Sequence, residues 1–302
     1  ERPLALRAGL TTLTLIALSL VRFALPHRGS ETMRVTALQP GVDMAFGEPE
    51  EIEARLARNV TPLIQQAKDD ATRLVVLPEG VVNGRRMPPR ASFQFDPDVP
   101  TLVGGQRGSG PTYQTAFAFD RRWRWVDKTR LVIFGEFVPG REIFPFLQDS
   151  FRLPAGDLSA SQEGVKALEL GGVVTGPLLC FEGLFPDLAY RQRMNGARLL
   201  AVMSIDDWFM GSNAPQQLRA ATAWRAVETG LPVVRSATLG YTQVIDGRGR
   251  MLAEAPLGQP VALTRDLPLG DLGPFVGQPL FPILTALFAL GLTVPSRRRP
   301  PE

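Results

Sequence analysis

Between Met33 and Leu267 the chain alternates short apolar runs of strand character with longer amphipathic stretches, and this alternation limits the folds open to it. RVTALQP is a β-rich run. EPEEIEARLARNVTPLIQQAKDD follows, with Ile52, Leu56, Val60, Leu63, Ile64 and Ala67 spaced for one helical face. RLVVLPEG has the uninterrupted apolar character of a buried strand, and YQTAFAFD with WRWVDK predicts a hairpin turning near Asp120 and Arg121. VVTGPLLC, ARLLAVMS and PVVRSATLG read as further strands, with helices between them near 186–195 and 215–228. YTQVIDGRGRMLAE closes the pattern by folding back at Asp246-Gly247. Hairpins and helical crossovers in one chain predict a layered α/β fold with a mixed sheet rather than a doubly wound parallel one.

Two apolar segments flank this region. Ala8 to Val21 is uncharged for 14 residues and bounded by Arg7 and Arg22, which can extend a short span by snorkelling. Pro274 to Pro295 carries no charge, is long enough to cross a bilayer, and is followed by Arg297, Arg298 and Arg299. The expected organisation is a membrane helix within residues 1–28, a catalytic domain over 33–268, and a second membrane helix over 274–295. The arginine cluster places the C-terminus in the cytoplasm and the domain outside it.

The residue inventory narrows the chemistry. With 33 basic and 30 acidic residues and no basic stripe interleaved with aromatics, nucleic acid is not an expected partner. One cysteine cannot form an intramolecular disulfide, and one histidine, His27, leaves no zinc site and no histidine-based triad. No cofactor is implied.

Three stretches place a reactive side chain just beyond an apolar run: LVVLPEG with Glu79, RWVDKTRLVIFGE with Lys128 and Glu136, and VTGPLLCFEG with Cys180 and Glu182. Strand ends are where α/β folds present functional groups. A cysteine attacks as thiolate and needs a base or a nearby cation, yet no histidine is positioned to serve. A desolvated carboxylate can take the thiol proton, and a lysine can hold the thiolate and an oxyanion. Lysine occurs only at 68, 128 and 166, so its use at 128 in an arginine-rich chain points to a compact ammonium. On these residues alone, an inert buried Cys180 and a surface Lys128 stay open.

The three stretches resemble, in order and spacing, the Glu–Lys–Cys triad of the nitrilase, or carbon–nitrogen hydrolase, superfamily. DKTRLVIFGEFVPGR, LLCFEGLFPDLAYRQ and SIDDWF with QQLRAATAWRAVETGLPVVRSA are similar to its apolipoprotein N-acyltransferase branch, over about Arg34 to the C-terminus. The resemblance implies a nitrilase-like α-β-β-α sandwich flanked by transmembrane helices, with its domain on the periplasmic side of a bacterial inner membrane. It implies an acyl donor phospholipid, a diacylglyceryl-modified apolipoprotein acceptor and a thioester intermediate. Glu79 would be the general base, Lys128 the transition-state cation and Cys180 the nucleophile. The N–H of Phe181 would be a second oxyanion donor, while Glu136 and Glu182 support the site or form ordinary salt bridges.

Three places depart from the family pattern: Phe181 stands where a tyrosine is usual, Ile205 where an asparagine is usual, and Ala237-Thr238-Leu239 where an asparagine-rich stretch usually precedes a glycine. The resemblance implies about eight membrane spans where this chain offers two, so upstream helices are expected to lie outside it. Trp208, Phe209 and Trp224 are expected in the core rather than along a lipid path. A membrane-anchored amidase and a catalytically weak lipoprotein- or lipid-binding paralogue are the other functions compatible with these residues.

Overall fold

The computed structural model describes residues 9–11, 13, 14 and 17, and residues 31–270 apart from 141, 142, 145, 147–152, 154 and 155. The chain divides into Ser30–Leu272 and a second unit made of Glu1–Gly29 and Gly273–Glu302. The expected membrane helix over 274–295 lies outside the described residues, as does most of the one within 1–28. Among the described residues no helix is long and apolar enough to cross a membrane.

Ser30–Leu272 contains thirteen strands, among the described residues: β1 (Thr32–Gln39), β2 (Leu74–Val76), β3 (Val82–Gly84), β4 (Thr101–Arg107), β5 (Tyr113–Asp120), β6 (Arg122–Asp127), β7 (Leu168–Leu170), β8 (Val173–Leu179), β9 (Leu199–Ser204), β10 (Val233–Ala237), β11 (Gln243–Ile245), β12 (Met251–Glu254) and β13 (Val261–Pro268). Three helices accompany them: α1 (Pro49–Asp69), α2 (Pro186–Met194) and α3 (Ala214–Thr229). One sheet has the order β13-β1-β2-β4-β5-β6, with β3 added beside β4, and the other runs β12-β11-β10-β9-β8-β7. Both are mixed, as the alternation predicts: β1, β2 and β4 are parallel neighbours, as are β8, β9 and β10, with antiparallel strands at the edges.

The strands show why their sequences carry no polar face. In β2, Leu74 and Val76 enter the core shared by the two sheets, while Val75 packs outward with Leu56, Val60 and Ile64 of α1. In β9, Leu199, Ala201 and Met203 face the same inter-sheet core, while Leu200 and Val202 pack among Leu188 of α2 and Ala226 of α3. A strand covered on both faces reads as a continuous apolar run. The result is helix, sheet, sheet, helix. α1 buries Leu56, Val60, Ile64 and Ala67 of its expected face; it begins with Pro49 in its first turn, and its acidic first turn and Lys68 near its end suit the helix dipole.

Some elements differ from the sequence reading. β4 (TLVGGQR) and β13 (VALTRDLP) were not legible as strands, the first because two glycines interrupt it and the second because charges face solvent. LVIF, the apolar run ahead of Glu136, is a turn segment in which Ile133 and Phe134 are more than half exposed. Trp224, expected in the core, stands on the outer side of α3 at 61% exposure.

Candidate active site

Topology brings the three sequence stretches to one place. β2 ends at Val76 and leads to Glu79; β6 runs antiparallel to β5, which is antiparallel to β4, so β6 points the same way as β2 and β4. Lys128, one residue past β6, therefore emerges at the same end of the sheet as Glu79. Close approach is built into β4: a Cβ on Gly104 would lie 2.5 Å from the Cα of Glu79. Only glycine lets that strand support the Glu79 loop without displacing it.

Lys128 is the centre of the charge cluster. Its Nζ donates to Glu136 Oε1 at 2.6 Å and stands 3.6 Å from Glu79 Oε1. All three side chains are buried. The second oxygen of Glu136 accepts from the backbone N–H of Val132 at 2.8 Å, which fixes the carboxylate in its own turn. Burial opposes the ammonium, but the Glu79 and Glu136 carboxylates outweigh it and raise the Lys128 pKa, so Lys128 stays protonated. Loss of solvent raises Glu79 to about 7, against the lowering effect of Lys128, and the Glu136 charge pushes the same way as burial. Gln114 and Cys180 favour the charged form of Glu79 and pull the other way. Its Oε1 accepts no hydrogen bond. A buried carboxylate near neutrality with a free acceptor is suited to taking a proton.

Cys180 follows β8 directly and opens a short 3₁₀ helix, Cys180–Leu184. Its φ of +48° lies in the left-handed region, which a residue with a Cβ adopts only when its surroundings enforce it. The residue is half-buried, its sulfur accepts from Ser204 Oγ at 3.5 Å and lies 4.0 Å from the Ile205 carbonyl, and it interacts with Glu79. Desolvation and the Glu79 charge push the thiol up to about 12, with Lys128 pulling the other way. A free thiolate is thus costly in the resting site, and a proton acceptor in contact is needed to form one.

Glu182 holds the two loops together. Its Oε1 accepts from Thr129 N at 2.8 Å, Thr129 Oγ1 at 2.8 Å and Arg130 N at 3.0 Å, while its Oε2 accepts from Leu179 N at 3.0 Å. The segment after Lys128 is thereby tied to the residue before Cys180. Arg130 adds a bidentate pair with Asp187 at the start of α2, at 2.9 and 2.8 Å, and lies 4.2 Å above the Phe185 ring. Phe181, with no hydroxyl to contribute, packs edge-on against Phe185 at 5.5 Å between centroids.

The structure thus gathers Glu79, Lys128, Cys180, Glu136 and Glu182 around one point, with Phe181 adjoining it. A further set was missed by reading the sequence. Ser204 ends β9, and Asp206 beyond it pairs with the buried Arg235 of β10 through Nη2 at 2.8 and 3.0 Å. Arg235 is 1% exposed, and an arginine inside the apolar run PVVRSA was the available signal. Asp207 is separately engaged: it accepts from Met44 N at 2.7 Å and from Thr238 Oγ1, and burial raises it to about 6. Among the described residues no cluster of His, Cys, Asp and Glu is arranged to hold a metal.

Known proteins share both sequence and fold with this chain. The carbon-nitrogen hydrolase family profile matches residues 104–275. Apolipoprotein N-acyltransferase of Geobacter metallireducens is 40% identical over 145 residues, covering 48% of this chain and 27% of that protein. The enzyme of the same name from Methylococcus capsulatus is 28% identical over 277 residues, covering 88% of this chain and 53% of that protein. The chain thus spans from about a quarter to about half the length of these curated relatives. Among solved structures, a carbon-nitrogen hydrolase from Helicobacter pylori aligns with a TM-score of 0.59 at 15% identity, covering 80% of this chain and 90% of that one. An amidase from Nesterenkonia aligns with a TM-score of 0.56 at 17% identity over 85% and 97% of the two chains, which speaks to fold alone. With more than half of its length matched by the profile and the two-sheet sandwich in place, the chain belongs to the carbon–nitrogen hydrolase family.

Proposed function

We propose that this chain is the catalytic part of an apolipoprotein N-acyltransferase, which moves an acyl chain from a phospholipid to the N-terminal amine of a diacylglyceryl-cysteine lipoprotein. The observation that carries this reading is the buried contact of one thiol, one carboxylate with a raised pKa and one ammonium in a chain similar to proteins of that name.

In this reading Glu79 takes the Cys180 proton as the sulfur attacks the ester carbonyl. The carbonyl oxygen becomes an oxyanion facing Lys128 and the N–H of Phe181, which sits in the first turn of the 3₁₀ helix, where backbone donors lack helical acceptors. Collapse breaks the ester C–O bond. Glu79 returns its proton to the departing alkoxide, releasing lysophospholipid and leaving a thioester on Cys180. The lipoprotein amine then attacks the thioester, Glu79 accepts the amine proton, and collapse frees the Cys180 sulfur to be reprotonated. Glu136 holds Lys128 between the two carboxylates, and Glu182 fixes the Lys128 and Cys180 loops at their working separation.

The membrane placement belongs to the same proposal. Helices over 1–28 and 274–295 tether the domain, with Arg297–Arg299 on the cytoplasmic side and the domain outside it. Exposed Ile133, Phe134, Ile143, Phe144 and Phe146, in the segment that follows Lys128, support contact with lipid near the site. Complete protection of the domain from protease added outside sealed, right-side-out vesicles argues against this placement.

The test of the chemistry is the intermediate. Incubation with phospholipid, or with a short-chain activated ester in detergent, should add one acyl mass to the chain before any acceptor is supplied. The adduct should be released by neutral hydroxylamine and be absent from Cys180→Ala. A folded protein that stays unmodified by both donors refutes the assignment of Cys180 as nucleophile.

A further inference from the structure

Cys180 also meets a buried polar relay that the mechanism above does not use. Ser204 Oγ lies 2.7 Å from Asp206 Oδ1 and 3.5 Å from Cys180 Sγ. Both contacts compete for one proton, because a serine hydroxyl has one O–H to donate and two lone pairs to accept with. The thiol's own hydrogen has other places to go: Sγ stands 4.0 Å from the Ile205 carbonyl and interacts with Glu79. Ser204 can therefore donate to the carboxylate or to the sulfur, but not to both.

Asp206 is built to tolerate the loss of that donation. Both of its oxygens accept from Arg235 Nη2, and the guanidinium is anchored in turn through Nη1 to the Tyr241 carbonyl at 2.6 Å. Ser204, Asp206 and Arg235 are all essentially inaccessible to solvent, so water cannot replace a missing partner. Ala237 of β10 lies opposite Ser204 in the parallel ladder and Arg235 opposite Val202, so two members of the relay rest on paired strands and Asp206 lies just past the end of β9. Gly240 completes the seat: a Cβ there would fall 1.9 Å from Asp206 Oδ2.

We propose that Ser204 is a positioning residue whose hydroxyl proton alternates between Asp206 and Cys180. It donates to Asp206 while Cys180 is a thiol and to the sulfur once the thiolate forms, with Arg235 holding Asp206 in both states. The inference rests on Cys180 acting as a thiolate that gives its proton to Glu79. No covalent bond changes at Ser204: the O–H rotates toward the sulfur as negative charge develops and rotates back when the thioester removes it. The charged groups facing the thiol are Glu79, Lys128 and Asp206, with Arg235 behind the last. Asp206 opposes the thiolate at close range, and a hydroxyl proton placed between the two offsets that opposition at the moment it matters.

The experiment is alkylation of the single cysteine by iodoacetamide across a pH series, followed by mass on the intact, folded chain. Iodoacetamide is small and needs no lipid path. In Ser204→Ala the rising limb of the rate profile should move upward by about one pH unit with its slope unchanged, or about tenfold slower at a fixed pH, as expected for a lost hydrogen bond to a charged group. Ser204→Thr keeps the hydroxyl and should return the limb toward the parent. A limb in Ser204→Ala that superimposes on the parent overturns the proposal. Should Ser204→Ala fail to fold, Asp206→Asn decides: removing the carboxylate frees the proton for the sulfur and should move the limb downward, and an unmoved or raised limb overturns the role. Glu79→Gln separates the two readings. If it leaves the parent profile unchanged, Glu79 does not act on the thiol and the thiolate mechanism fails, and with it the role of Ser204; if it moves the profile in either direction while Ser204→Ala does not, only the Ser204 inference falls.

Discussion

Glu79 Oε1 lies 3.6 Å from Lys128 Nζ, close enough for charge attraction and too far for a hydrogen bond, while Lys128 spends its short contact on Glu136. One buried ammonium thus serves two buried carboxylates, and the more weakly held one is placed against the thiol. Burial raises Glu79 to about 7, and the Lys128 charge offsets that only in part.

The first prediction follows from that value. Glu79 accepts protons only when ionised, so Cys180 acylation should rise as pH increases through about 7, with an apparent midpoint belonging to the coupled cluster. The stability consequence has the opposite sense. A carboxyl whose folded pKa is raised favours the fold most below its unfolded value and loses that contribution as pH climbs to about 7. Glu79→Gln removes the charge that must be buried, so its melting temperature should exceed the parent's above neutrality, with the gain shrinking toward about pH 5. Acylation should be lost at both values. A variant less stable than the parent at about pH 8 would contradict the assigned cost of charging Glu79.

Lys128→Arg should be nearly as damaging as Lys128→Ala. The ammonium is buried between Glu79 and Glu136, and a planar guanidinium is too large to place its charge where the oxyanion develops. Loss of such a donor costs about 10²–10³ in turnover. Single-turnover acylation by an activated ester measures this directly, and near-parental rates in the arginine variant would reduce Lys128 to generic positive charge.

Glu182→Gln should weaken both fold and activity despite its near-identical shape. All four groups around the Glu182 carboxylate are donors, so the amide NH₂ must face one of them whichever way it is turned. The expected loss is about 1–3 kcal/mol of stability, accompanied by slower acylation as the Lys128 and Cys180 loops part. Chemical denaturation alongside the acylation assay checks both, and a Gln variant equal to the parent in each would show that the two loops are held by other contacts.

Gly104→Ala should perturb the site from beneath. Its Cβ would stand 2.5 Å from the Glu79 Cα, which must shift. Displacing a catalytic group by about 1 Å can cost about 10²-fold in rate. Gly110→Ala, with nothing within 4 Å of its Cβ, is the matched control and should leave the rate unchanged. Equal rates for the two variants would place Glu79 outside the rate-determining chemistry.

Much of this arrangement was legible in one dimension. RLVVLPEG and VTGPLLCFEG announce buried strands because both faces of β2 and most of β8 are covered, one by the opposite sheet and one by helices. A polar or reactive residue directly after such a run must sit at a strand end, which is where Glu79 and Cys180 lie. The hairpin of β5 and β6 was equally plain, and it put Lys128 one residue past a strand in the right direction.

Other features were not legible, for identifiable reasons. LVIF has the composition of a strand, yet among the described residues it forms only an isolated bridge from Ile133 to Phe137, and it folds into the turn that aims Glu136 at Lys128. β4 looks like a broken segment because its glycines answer to backbone on other elements: Gly104 to Glu79 and Gly105 to the Val82 carbonyl. Trp224 carries the apolar surface of a core residue, yet it stands on the outer side of α3 at 61% exposure.

The sequence by itself determined the strands with two buried faces, the hairpin of β5 and β6, the main helices, and the choice of a thiol, a carboxylate and a lysine in a chain with no usable histidine. Those are local properties, written in composition and period. Only the tertiary structure decided that Lys128 is shared unequally by Glu79 and Glu136, that Glu182 bridges 53 residues to Thr129, and that Ser204, Asp206 and Arg235 form a buried relay beside Cys180. Each of these is a contact between side chains distant in sequence, and its geometry depends on strand order and register, to which neighbouring residues do not respond.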